Sequence, residues 1–101
     1  MNTIQYVRNW VSTKESFSFF LPDGPRGRPF DNQYQMDSVV DGHGVMLIRL
    51  SGGIEFLFEG RLQCRDEGCN LILTGFTRLK YKVNGVVECE FTEGEFCLTG
   101  F

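Results

Sequence analysis

Apolar and polar residues alternate through most of the second half of the chain. Every second residue from Ile54 to Phe58 is apolar, and glutamate occupies one of the positions between them. The same period of two recurs in residues 79–83 and 87–91, where lysines and glutamates fill the intervening positions. Because successive side chains of a strand point to opposite faces, this pattern predicts strands with one face in a core and one face in water.

Glycine-containing turn signals separate these alternating segments. They follow one another about every seven to ten residues, which is the rhythm of short antiparallel strands. The spacing leaves no room for a helix of about ten residues after Gly42. The signals are at residues 41–44, 51–53, 59–60, 66–68, 74–75, 84–85 and 93–94.

The signal at 51–53 predicts a hairpin with a three-residue loop. This loop length places Leu50 opposite Ile54 and Arg49 opposite Glu55, so that apolar residues face apolar residues across the strands. A shift of one residue would turn every side chain of one strand to the wrong face.

The Asn-Gly signal near residue 84 predicts a second hairpin, again with a three-residue loop. A two-residue loop would place Lys82 opposite an apolar position and mix the two faces. A loop at 83–85 is preferred, because its glycine suits a bulged turn, and it places Lys80 opposite Glu88. The alternative loop, one residue later, places Lys80 opposite Glu90.

A weak internal repeat accompanies these hairpins. Residues 45–76 and 78–101 match in pattern, and the sequence Leu-Thr-Gly-Phe ends both, at 73–76 and 98–101. One hypothesis is a duplicated three-stranded meander within a single domain, residues 1–101. The alternative is chance similarity between stretches that are rich in phenylalanine and glycine.

The N-terminal segment has a different period. Val7 and Val11 lie four residues apart, as do Tyr6 and Trp10, which is the spacing of a helix face. Asn2 or Thr3 could cap such a helix. The pattern predicts a short helix across residues 3–12, with an N-terminal strand as the alternative.

The composition also indicates a small β domain. The chain has 101 residues, which include 10 phenylalanines, 12 glycines and only 3 prolines. We therefore expect a mainly β fold: a small antiparallel barrel, roll or sandwich of about seven or eight short strands, with the N-terminal helix. Residues 17–21 and a segment from Tyr34 onward supply further strands. No apolar run is long enough to span a membrane and no signal peptide is evident, so a cytoplasmic protein is expected.

The least generic stretch is the loop 22–32, which holds all three prolines. Proline stiffens the backbone and removes hydrogen-bond donors, so this segment cannot join a sheet ladder. Two arginines could clamp a carboxylate or phosphate, and an acidic and an amide side chain could bind from the other side. The alternative is a purely structural loop in which Arg28 pairs with Asp31. The candidate binding residues are Arg26, Arg28, Asp31 and Asn32.

Four cysteines are candidates for metal ligands or disulfides, and their spacing favours neither. Cys64 and Cys69 are separated by four residues, but Cys89 and Cys97 are separated by seven, unlike the second knuckle of a zinc site. We expect four free thiols, no metal and no cofactor.

Catalytic motifs are sparse. The only histidine, His43, lies in a predicted turn, and a small enzyme would have to use it with Asp31 or Asp41. We therefore expect a non-catalytic binding or protein-interaction module, with that enzyme as the alternative. An enzyme predicts a deep pocket at His43, whereas a binding module predicts a shallow aromatic surface or a free sheet edge.

The charge pattern restricts the partners. The net charge is −3, and the basic residues are scattered, which argues against nucleic acid. A protein partner or a small anionic ligand remains. Because an open sheet leaves unpaired edges, a homodimer formed by edge pairing or by an aromatic patch is also expected.

Overall fold

The computed structural model describes residues 2–24 and 33–101, and the fold within them is mainly β, as the alternation predicts. One helix precedes seven antiparallel strands, and a single 3₁₀ turn at Ser51–Gly53 joins the third strand to the fourth. The elements are α1 (Thr3–Ser12), β1 (Phe17–Phe20), β2 (Met36–Gly42), β3 (Val45–Leu50), β4 (Ile54–Glu67), β5 (Asn70–Val83), β6 (Val86–Phe91) and β7 (Phe96–Gly100).

The strands form one sheet that curls into a half-barrel. Its order is β1-β7-β5-β4-β3-β2, and β6 pairs with the second half of β5, beyond the part that β7 occupies. Phe17, at the start of β1, exchanges two backbone hydrogen bonds of 2.8 Å with Tyr34, just before β2. This bridge links the two ends of the strand order.

The predicted N-terminal helix is confirmed over the strand alternative. The Asn2 side chain accepts a hydrogen bond of 2.9 Å from the backbone N–H of Gln5, which satisfies one of the free donors at the helix start. Val7 and Trp10 are buried, and the Trp10 ring lies 6.3 Å from that of Phe17. The helix therefore contributes its apolar face to the core of the curled sheet.

Phenylalanine rings fill the centre of that core. The Phe56 ring lies 4.8 Å from Phe19 and 4.7 Å from Phe96, and Phe58 lies 5.2 Å from Phe96, centroid to centroid. These rings come from β1, β4 and β7, so the contacts hold together strands that are distant in sequence. Tilted aromatic pairs of this kind contribute about 0.5–1.5 kcal/mol each beyond their buried area.

The hairpin at 51–53 has the predicted register. Leu50 lies opposite Ile54 and Arg49 opposite Glu55, with 3.7 Å between Arg49 Nε and Glu55 Oε2. Ile54 and Leu50 are both buried. Side-chain alternation in the sequence was therefore sufficient to predict this register.

The predicted three-residue loop of the second hairpin is wrong. Asn84 and Gly85 form a two-residue loop, with φ values of 52° and 83° that suit the tight turns of hairpins. Lys82 does lie opposite Val87, and the faces separate only beyond Glu88, which forms a bulge, an extra residue that shifts the register by one. Beyond the bulge Lys80 lies opposite Glu90, as the alternative loop predicted.

Two glycine signals expected to be turns lie inside strands. The signals at 59–60 and 74–75 fall within β4 and β5, which each continue for 14 residues. Gly60 and Gly75 adopt positive φ values of 103° and 78° where the register shifts. A glycine at such an irregularity lets a strand bend without ending, which helps the long hairpin to follow the curl of the sheet.

Candidate functional site

The loop 22–32 leaves the sheet at a fixed point. Leu21 and Gly24 exchange backbone hydrogen bonds of 3.1 and 2.8 Å, and on the return side the Ser16 hydroxyl donates to Gln33 Oε1 at 3.1 Å. The four candidate binding residues lie outside the described residues, so their role stays a prediction. They are Arg26, Arg28, Asp31 and Asn32.

His43 lies in the turn between β2 and β3, as predicted, and is exposed. In residues 2–24 and 33–101 it has no ion pair or hydrogen bond with a carboxylate, and Asp31 lies outside those ranges. An open cleft of about 290 Å³ beside this turn is lined by Asp41, Gly42 and Gly44 but not by the imidazole. Among the residues that the structure describes, no deep pocket brings His43 together with a carboxylate.

The four cysteines are free thiols and lie at different depths. Cys69 is exposed in the turn between β4 and β5, whereas Cys64, Cys89 and Cys97 are half-buried. Burial raises the pKa of the Cys64 and Cys97 thiols, even though the Thr99 hydroxyl near Cys97 acts in the opposite direction. These two thiols are therefore poor nucleophiles at neutral pH. The described part of the chain contains no group of three or more metal-ligating side chains.

Two edge strands of the half-barrel, β1 and β2, are each contacted at one point of their outer edge. The outer edge of β1 begins at Phe17, whose backbone is paired with Tyr34. On β2 the Arg8 guanidinium, from α1, donates two hydrogen bonds of 3.1 and 3.0 Å to the Val39 carbonyl. Contacts of this kind hinder pairing with another chain at those points.

The edge of β6 is different. Among the described strands it pairs only with β5, along one side. Its first residues are open to solvent: Val86 is 61% exposed and Val87 43% exposed. Beside them is a pocket of about 190 Å³, lined by Tyr81 and Val83 of β5 and by Glu88 and Cys89 of β6.

This edge also carries negative charge. The sequence places Glu88 and Glu90 on a water-facing surface, and both are exposed. Glu90 lies 3.7 Å from Lys80 Nζ, whereas Glu88 has no ion pair with a described residue. The sequence predicts these exposed glutamates, but it does not identify β6 as an edge strand, because strand order is set by contacts between distant segments.

No protein family, curated protein or solved structure was found to match this chain. In the parts of the chain that the structure describes, no helix combines the length and the apolar character needed to cross a membrane. The fold and the exposed start of β6 are therefore the observations from which its function is inferred.

Proposed function

We propose that this protein is a non-catalytic interaction module that binds an extended segment of a partner protein along β6. The observation that carries the proposal is the exposed start of this strand, where Val86 and Val87 lie on an edge that no other described strand covers. A partner segment would extend the sheet by one strand, with backbone hydrogen bonds supplying affinity.

The surroundings of the edge support sequence-selective binding. When a strand is added to a sheet, alternate side chains of the added strand face the same side, so a pocket beside the edge can select one of them. The pocket lined by Tyr81 and Val83 is small and bordered by Glu88. The pocket can hold an apolar side chain of the partner segment, and Glu88 favours a basic residue beside it.

Charge favours a basic partner segment over a second copy of the chain. If two copies paired antiparallel through β6, Glu88 and Glu90 of each copy would lie close to those of the other. Like charges directly across a sheet are destabilising, and opposite charges are favourable by about 0.2–1 kcal/mol per pair. A segment with lysine or arginine between apolar residues can pack on the two valines and pair its charges with the two glutamates.

We also propose that the protein works in the cytoplasm. Its four free thiols suit a reducing compartment. An interaction module that binds extended segments needs no cofactor there.

The test uses two blocked synthetic peptides of six residues, the length of β6. One alternates valine with lysine and the other alternates valine with glutamate. We expect the lysine peptide to shift the backbone amide NMR signals of Val86, Val87 and Glu88 in a saturable way, and the glutamate peptide to shift none of them. The binding should weaken as salt rises from about 0.01 to 0.15 M, because screening shortens the reach of charges from ~30 to ~8 Å.

Charge reversal provides the matched control. The Glu88→Lys variant should bind the glutamate peptide in preference to the lysine peptide. Asp37→Lys makes an equal change of charge at an exposed position of β2 and should leave the preference unchanged. If the two variants behaved alike, or if the lysine peptide shifted signals away from β6, strand addition at this edge would be refuted.

A further inference from the structure

A third cleft lies between α1 and the tip of the β4–β5 hairpin. Its volume is about 280 Å³, near the ~300 Å³ lower limit of ordinary small-molecule sites. Three side chains from one face of α1, the residue that caps its C-terminus and one residue of β4 line it: Tyr6, Asn9, Trp10, Thr13 and Asp66. Two aromatic rings and a carboxylate thus share one small cleft.

Strand alternation places the carboxylate in this cleft on the opposite face from the ion pairs of its two neighbours. Arg65 and Glu67 flank Asp66, and their side chains bond to each other, while Arg65 Nη2 also lies 3.2 Å from Glu95 Oε2. Asp66 faces the other side of the strand, opposite buried Leu71. It forms no ion pair or hydrogen bond with any described residue.

The charge of Asp66 acts on the aromatic side of the cleft. Burial, then the negative charge of Asp66 and the nearby Cys64, raise the pKa of the Tyr6 hydroxyl. The phenol therefore stays neutral, and among the described lining residues Asp66 supplies the formal charge. Asp66 is exposed, so its carboxylate is accessible to a cation from solvent.

The Trp10 ring already attracts an ammonium group. Lys14 Nζ lies 5.4 Å from the centroid of this ring, within the ~6 Å range of a cation–π interaction. Tryptophan has the strongest such attraction of the aromatic side chains, and tyrosine also attracts cations. Lys14 carries the same charge as an incoming cation and therefore opposes its binding.

We propose that this cleft binds an organic ammonium ion, with methylated nitrogen against the half-buried ring of Tyr6, beside the 6% of Trp10 that is exposed, and with Asp66 balancing its charge. A methylated ammonium suits the site better than a primary amine. Its methyl groups need no hydrogen-bond acceptors, whereas an amine would leave its hydration shell at greater cost. The cation is either a free small molecule or a methylated lysine of another protein.

Choline and a short peptide that contains trimethyl-lysine are the two probes. Trp10 is the only tryptophan of the chain, so its fluorescence reports on the cleft directly. We expect a saturable change with at least one probe, together with shifts of the Trp10 indole NMR signal. Tighter binding of the peptide would assign the site to methylated lysine, and tighter binding of choline would assign it to a small molecule.

Asp66→Asn should weaken binding about fivefold to tenfold, whereas Glu67→Gln, which removes the neighbouring carboxylate on the opposite face, should change it less than about twofold. Lys14→Gln should tighten binding, and it serves as an independent test if Asp66→Asn disturbs the fold. The uncharged analogue of choline, 3,3-dimethylbutanol, should not bind.

Three results would overturn the proposal. The first is the absence of saturable binding by either probe up to ~10 mM, a very weak affinity. The second is equal binding of the uncharged alcohol, which would indicate an apolar cleft without selection for charge. The third is equal weakening by Asp66→Asn and Glu67→Gln, which would indicate a general surface effect.

Discussion

At the residue scale, two neighbouring glycines of one turn show how a close contact differs from backbone strain. Gly52 and Gly53 both have φ of 79°, a conformation that suits glycine. A Cβ on Gly52 would meet open space, whereas a Cβ on Gly53 would collide with the side-chain amide of Asn84. The Asn84 backbone N–H also donates to the Gly53 carbonyl at 2.8 Å, so this contact joins the two hairpin turns.

We expect Gly52→Ala to lower the free energy of unfolding by about 1–2 kcal/mol, the cost of a left-handed backbone for alanine. Gly53→Ala should cost at least ~1 kcal/mol more, because Asn84 must move to make room. Chemical denaturation of the two variants measures the difference. Equal losses would contradict a specific contact between the two turns.

At the scale of elements, alternation predicts where strands lie better than glycine predicts where they end. The helix over residues 3–12 and the register of Leu50 against Ile54 follow from the sequence because local periodicity sets both. Gly60 and Gly75 were misread as turns because a glycine with positive φ serves a bulge as well as a turn. The bulge at Glu88 could not be predicted, since one unpaired residue leaves no mark on the local pattern.

Alternation likewise predicts some features of the candidate sites and not others. The exposed glutamates of β6 follow from alternation, but the position of β6 at the edge of the described sheet and the cleft at Asp66 depend on which strands and helix become neighbours. The sequence gives no direct signal for such neighbours, because they arise from packing between segments distant in the chain.

The loop 22–32 yields a prediction at this scale. Replacing both Arg26 and Arg28 by alanine should abolish binding of a polyglutamate peptide while the melting temperature changes by only a few degrees, if the arginines serve an anionic partner. If Arg28 instead holds the loop, the same change should lower stability by ~1–3 kcal/mol. The control replaces exposed Arg61 and Arg78, two arginines of β4 and β5. A destabilised Arg26/Arg28 variant that still bound the peptide would contradict the binding role.

At the scale of the whole molecule, the edge strands of the half-barrel differ in the contacts that they make. Tyr34 pairs with the start of β1 and Arg8 binds one carbonyl of β2, so pairing with another chain is hindered at those points. The exposed edge of β6 remains, and acidic side chains discourage two copies from meeting there.

The homodimer expected from the sequence stays a prediction, and salt tests it. If two copies pair through β6, screening of Glu88 and Glu90 should promote the dimer. Light scattering at ~100 µM protein should then give a larger mass in about 1 M salt than in about 0.01 M salt. Glu88→Gln should increase the mass at low salt. A monomeric mass under all these conditions would contradict the homodimer.

The position of β7 between β1 and β5 has a consequence for biosynthesis. Five other strands lie between β1 and β7 in the chain, so the strand that β1 pairs with is made roughly 4–15 s after it at ordinary rates of translation. Until then Phe17 and Phe19, both buried in the finished fold, lack the strand that lies beside them in the sheet. β1 therefore cannot take its place in the sheet until β7 has been made.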